Sequence, residues 1–395
     1  MTVAKGRQFL NIPGPTTVPD AVLNAMHRPA IEIYSGELVE ITDTCLADLG
    51  RLFRTQGDTY IYAANGHGAW EAALCNVLSR GDQILVLGSG RFAIGWGESA
   101  AMLGIDVDVL PGSWRRAVDP AAVEARLRND TGGRIKAVLV VQVDTASGVV
   151  NDIPAIREAM YAAGHDALLM VDAIASLGCV PFEMDAWGID VAVSAAQKGL
   201  MTPPGLSFIA AGARAKSAHK QAGLRTQYWD WTAREGGLHY QKYCGTPPEH
   251  MLFGLRKGLD LLLEEGLENA FRRHRLLAEA VRAAITVWSK GGAFDFNIME
   301  PEQRADSVTT ILMAEGRDPK PLLTYCEQHC GVVLGIGIGE LTGKAFRIAH
   351  MGHINAPMVL GVLGSVEMAL RALDIPHGKG GVQAAIDWLG AQVAP

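Results

Sequence analysis

Apolar positions along the 395-residue chain follow two rhythms. Up to about residue 211, short near-continuous apolar runs alternate with helix-length stretches. The runs are "DTYIYAA", "DQILVLGS", "IDVDVL", "KAVLVVQV", "ALLMVDA", "DVAVS" and "LSFIAA". The intervening stretches Gly68–Leu78, Gly95–Leu103, Pro120–Arg128 and Ile153–Ala163 read as helices. Strands that are apolar on both faces are strands covered on both faces, so this alternation predicts an α/β fold with a mostly parallel sheet between helical layers. From about His250 the rhythm changes to helical spacing, with Met251, Leu252, Leu255, Leu259, Leu262 and Leu263 on one stripe and a break expected at Gly266. Beyond it, strands near "SVTTILM" and "FRIAHM" and helices near Pro319–His329 and Ala356–Leu373 predict a second, smaller α+β unit. The expected division is an N-terminal segment 1–20, a large α/β domain 21–265 and a small domain 266–395.

Composition narrows the function. The net charge is −7 with no Lys/Arg-rich run, which argues against a nucleic-acid partner. The stretch "MTVAKGRQFLNIPGPTT" holds no apolar core of signal-peptide length, and no run of about twenty apolar residues occurs, so neither a leader nor a membrane span is expected. Six scattered cysteines in a chain this large suggest reduced thiols and a cytoplasmic setting. Cys326 and Cys330 have no second pair at zinc spacing, and His350 and His353 read as hydrogen-bonded structure, so no metal is expected.

Two glycine-rich stretches fail the motifs they suggest. "GSGRFAIGWG" (88–97) misplaces the third glycine of a dinucleotide fingerprint. In "GIGIGELTGKA" the first P-loop glycine is replaced by Ile338, and Lys344 is followed by Ala345. Three other features combine. "AANGHGAWEAAL" places Asn65, Gly66 and His67 at a strand-to-helix turn whose backbone N–H groups suit a phosphate. "LLMVDAIASLG" sets Asp172 at the carboxyl end of an apolar strand, where open parallel sheets hold ligands. "SAAQKGLMTPPG" sets Lys198 at the end of the next strand, before a stiff Pro-Pro-Gly loop. An amine, a carboxylate and a phosphate cradle are the parts of a pyridoxal phosphate site, where the lysine carries the cofactor and the carboxylate keeps its ring nitrogen protonated.

With "IPGPTTVP", "DTASGV", "YCGTPP" and "GKAFRIAHMG", these motifs give the chain a resemblance to the class V, fold-type I aminotransferases, alanine/serine–glyoxylate branch, over nearly its whole length. The resemblance implies a seven-stranded-type sheet and ping-pong transamination of a small L-amino acid with glyoxylate or a similar 2-oxo acid. Lys198 would be the Schiff-base lysine and general base, and Asp172 the partner of the pyridine nitrogen. Asn65, Gly66, His67 and Gln197 would lie at the phosphate. Phe92 and Ile174 would cover the two ring faces, and Thr145 would meet the ring hydroxyl. Arg347 would grip the substrate carboxylate, with Gly14 and Tyr34 on the substrate side. Tyr243 and Thr246 would reach the phosphate of a neighbouring subunit, implying a homodimer with shared sites. Many bacterial relatives carry a His-Arg pair where this chain has Tyr34 and Ser35, which leaves serine, alanine, aspartate and ureidoglycine open as donors. A same-fold cysteine desulfurase and a non-catalytic chain are the alternatives.

Overall fold

The computed structural model describes residues 3–393. Seven apolar runs form one sheet: β1 (Asp58–Tyr62), β2 (Gln83–Gly88), β3 (Asp106–Pro111), β4 (Ile135–Val141), β5 (Leu168–Asp172), β6 (Val191–Ala195) and β7 (Ser207–Ala211). Their order is β1-β7-β6-β5-β4-β2-β3, with β7 antiparallel to both of its neighbours and the other pairings parallel. The reversal at β7 follows from its connection: no crossover helix separates it from β6, and a parallel return needs one. Every residue of β5, β6 and β7 is buried, as two-sided helical cover requires. Helices Gly66–Val77 and Arg91–Met102 pack on one face; Pro120–Arg128, Ile153–Ala162 and Glu37–Phe53 belong to the core of the other.

A second sheet has the order Phe9–Asn11, Val332–Ile336, Ala345–Ala349, Val308–Met313, Phe294–Phe296. Its core includes helices Leu267–Trp288, Ala356–Ala372 and Gly381–Gln392. Gly266, with φ of 83°, ends the helix Glu249–Glu265 and turns the chain into Leu267–Trp288, as the break expected there requires. Phe9–Asn11 pairs parallel with Val332–Leu334, so the N-terminal segment is woven into the sheet of the C-terminal strands.

Two helices depart from the pattern. The one expected from Gly95 begins at Arg91, because the Asp144 carboxylate accepts from the N–H groups of Phe92 and Ala93 and caps a terminus that Gly90 cannot cap. The one expected over Pro319–His329 is α-helical only for Lys320–Tyr325; Cys326–Cys330 widens into a π turn and stops at Gly331, φ 71°. Among the described residues no helix is long and apolar enough to cross a membrane.

Candidate active site

Because β7 reverses twice, β1 runs parallel to β6, and the carboxyl ends of β1, β2, β4, β5 and β6 share one edge of the sheet. A cavity of about 310 Å³ opens there. Asn65, Gly66, His67, Phe92, Thr145, Asp172, Ile174, Gln197, Lys198 and Gly14 line it, joined by Trp70.

Lys198 lies in the β6–β7 loop, only 9% exposed. Its Nζ donates to the Pro13 carbonyl, and among the described residues it makes no ion pair. The loop is pinned from several sides: Thr16 Oγ1 donates to the Lys198 carbonyl at 3.0 Å, Met201 N–H to the same carbonyl at 3.1 Å, and Thr202 N–H to the Ala196 carbonyl at 3.0 Å. Gly14 has φ +101°, a conformation that favours glycine, and a Cβ there would meet the outer atoms of the lysine side chain. Burial, helped by the nearby Arg347 cation, pushes the Lys198 amine down to about 8.

Asp172 ends β5 with both oxygens engaged: Oδ1 accepts from Ile174 N–H and Oδ2 from Trp70 Nε1, each at 2.7 Å. Burial pushes its carboxyl up to about 7, against the pull of those donors. Arg347, on Ala345–Ala349, donates from Nε to the Ile336 carbonyl at 2.7 Å and from Nη1 to the Thr145 carbonyl at 2.9 Å. These two bonds fix the guanidinium plane beside the cavity wall. Burial holds Arg347 down at about 10, while the carboxylate of Asp144 pulls the other way.

Asn65 caps helix Gly66–Val77, its side chain accepting from the N–H groups of His67 and Gly68, so the positive end of the helix meets the cavity. A Cβ on Gly66 would press on Ile174 Cδ1, so glycine lets that side chain close the wall. His67 and Phe92 both pack on Trp70, with ring centroids 4.5 and 6.3 Å away.

Four expected residues do not line the cavity: Arg347 sits just behind its wall on Thr145, and three others lie elsewhere. Tyr34 is 68% exposed against Tyr240, and Thr246 is exposed. Tyr243 is buried, with its hydroxyl 2.8 Å from Thr42 Oγ1, and lines a separate cavity with Arg234 and Tyr60. None of the three lines the cavity of its own chain, because the segments that carry them pack on each other: His239 Nδ1 lies 2.6 Å from the Ile33 carbonyl, and Glu249 accepts from Ile31 N–H at 2.9 Å. Two residues unremarked in the sequence are part of the arrangement. Trp70 stands inside the quoted "GHGAWEAAL", and Asp144 directly precedes Thr145. His350 is structural, between Thr309 Oγ1 and the Asp306 carbonyl.

The cavity fits pyridoxal phosphate on its own chemistry. A buried lysine and a buried aspartate face one space without an ion pair to each other, and the side-chain oxygen of Gln197 at its wall has no partner among the described residues. Such charges persist where a ligand occupies the space between them.

The sheet order and flanking helices are those of a fold-type I pyridoxal phosphate enzyme. They superpose on the solved ureidoglycine–glyoxylate aminotransferase of Bacillus subtilis with a TM-score of 0.88, at 27% identity over 98% of this chain and 99% of that one. The aminotransferase class-V family profile matches residues 9–345. A serine–glyoxylate aminotransferase of Methylorubrum extorquens is 39% identical over 97% of this chain and 96% of its own length. An L-aspartate–glyoxylate aminotransferase of Paracoccus denitrificans is 35% identical over 95% and 94%. The chain belongs to the class V aminotransferases, and its cofactor is pyridoxal phosphate.

Proposed function

We propose that this enzyme transfers the amino group of a small L-amino acid, serine or alanine, to glyoxylate or a similar small 2-oxo acid in a ping-pong cycle. The observation that carries the proposal is the convergence of Lys198 and Asp172 on one cavity, with Arg347 bonded to the carbonyl of Thr145 in its wall. The similarity to a serine–glyoxylate aminotransferase supports the substrate pair.

When bound, pyridoxal phosphate supplies an aldehyde carbon that receives the amino group and a ring that withdraws electrons from the substrate's Cα. Asn65, Gly66, His67 and Gln197 would hold its phosphate, Phe92 and Ile174 its ring faces, and Thr145 its hydroxyl. Asp172 would hold a proton at the ring nitrogen. Lys198 Nζ would carry the proton from Cα to the cofactor's aldehyde carbon in the first half of the cycle and back in the second, which needs an amine that is neutral near working pH. Arg347 offers a planar fork to the carboxylate that both substrates share, and so sets the direction of the Cα–H bond. Gly14 keeps space for the lysine to swing.

Tyr34, Thr246 and Tyr243 have no role in the cavity of their own chain. Tyr34 and Thr246 lie on exposed segments packed together. We assign these segments to the site of a second copy, which makes the enzyme a homodimer with shared sites. Its free thiols suit the cytoplasm. The desulfurase reading needs a mobile reactive thiolate. Cys326 is buried with its thiol pushed up to about 12, so it does not serve.

Two measurements follow. With glyoxylate as acceptor, serine or alanine should exceed aspartate in kcat/KM by at least about tenfold, since among the described residues the cavity lining holds no arginine and no lysine other than Lys198 to receive a donor's side-chain carboxylate; aspartate as the best donor would refute the assignment. The rate at which cofactor-free protein captures pyridoxal phosphate should rise as pH climbs through about 8, because burial favours the neutral, nucleophilic Lys198 amine. A rise centred near 10.5, the ordinary lysine value, would show that the amine is unperturbed.

A further inference from the structure

Buried indoles of this chain are not all paired. Trp96 is fully buried and its Nε1 has no partner among the described residues, whereas Trp288, also fully buried, donates to Glu367 at 3.1 Å. Burial alone therefore does not pair an indole N–H in this protein. Trp70 Nε1 is paired, at 2.7 Å, with Oδ2 of the one carboxylate that lines the cavity. The ring is held for that contact by Trp96 stacked at 6.1 Å, His67 at 4.5 Å and Phe92 at 6.3 Å.

We infer that Trp70 is a positioning residue: its indole N–H fixes the Asp172 carboxylate in the orientation and charge state that the cofactor's ring nitrogen requires. The inference rests on the reading of Asp172 proposed above. A carboxylate oxygen accepts two hydrogen bonds. With Ile174 N–H on Oδ1 and Trp70 on Oδ2, the group cannot rotate, and each oxygen keeps one acceptor site for the cavity. A donor to the ionised form also opposes the neutralisation that burial favours. The charged groups near Asp172 are Lys198, which assists ionisation, and Asp144, which opposes it; His67 stands on the other side of the indole, and its own burial holds it below its ordinary value.

The test replaces Trp70 without removing the aromatic body. Trp70→Phe keeps a ring and loses the N–H. Incorporation of 3-benzothienylalanine at position 70 keeps the bicyclic shape and also lacks the N–H, and serves if the phenylalanine variant fails to fold. The first readout is the carboxyl-carbon NMR titration of Asp172 in the full cofactor-free chain, assigned by its disappearance in Asp172→Asn. The second is the pH below which the loaded protein releases pyridoxal phosphate on dialysis. The inference expects the Asp172 midpoint to rise by about one to two pH units and the release pH to rise with it. An unmoved midpoint in a folded variant overturns it. Neither readout uses an amino acid or a 2-oxo acid. A midpoint that moves in a chain unable to transaminate therefore refutes the proposed reaction and leaves Trp70 its role, while an unmoved midpoint in an active enzyme refutes the role of Trp70 alone.

Discussion

Lys198→Ala lowers kcat by at least about 10⁴-fold, the upper range for one positioned acid–base group, because the same side chain is also the cofactor's attachment point. The variant folds. The lost Nζ contact is a single hydrogen bond to the Pro13 carbonyl, and the change removes an amine whose charge burial disfavours. Steady-state transamination and the cofactor content of the purified variant check both halves of the statement. Turnover within tenfold of wild type would remove Lys198 from the mechanism and with it the meaning of the cavity. Lys198→Arg is expected to be as inactive, since a guanidinium keeps its charge at working pH and cannot act as the base.

Arg347→Ala should reduce kcat/KM by about 10²–10³-fold for the amino acid and the 2-oxo acid alike, within the roughly 2–5 kcal/mol attached to losing one partner of a buried charged pair. Both substrates present the same carboxylate, so a loss confined to one of them would contradict the assignment. The geometry makes the site exacting: Nε and Nη1 are committed to the Ile336 and Thr145 carbonyls, so the plane offered to a substrate is set by a strand of the second sheet and by the turn that carries Thr145. Arg347→Lys should recover little, because an ammonium has neither the plane nor the two-point fork. Cofactor content should stay near wild type in both variants. Their thermal stability should fall modestly, since the fully buried Asp144 loses the cation beside it in the alanine form.

Much of this site was legible because charge is conspicuous at the end of an apolar strand. Asp172 ends a run of buried residues and Lys198 follows another three residues on, and the turn at Asn65–His67 is short enough to read from composition. Six of the strands were legible for the same reason, by near-continuous apolarity; β3, at the sheet edge, alternates aspartate with apolar residues and has no buried residue. Trp70 was not, because an aromatic on an apolar helix face is ordinary core until its one polar atom is located. Asp144 was not, because it caps a helix that lies far earlier in the chain, an association made by the sheet and invisible to local pattern. The missing cap signal at Gly90 placed the start of that helix too late. Gly90 itself answers to the fold, as a Cβ there would overlap the Asp144 carboxylate. Phe9–Asn11 has no periodicity of its own and becomes a strand only through Val332–Leu334. Tyr243 and Thr246 followed from a family motif and Tyr34 from the place of a family pair that this chain lacks, and one chain's own packing leaves all three outside its cavity.

A half-reaction centred on Lys198 stops when the cofactor holds the amino group, and a single-turnover experiment reads that stop. Loaded enzyme is mixed with serine or alanine in the absence of any acceptor, and the 2-oxo acid released is counted against sites. About one equivalent per site is expected and then a stop, a second equivalent of transfer only when glyoxylate is added and converted to glycine, and no release from Lys198→Ala. Continued release without an acceptor, sulfide from cysteine in place of an oxo acid, or no oxo acid from any small amino acid would contradict that half-reaction.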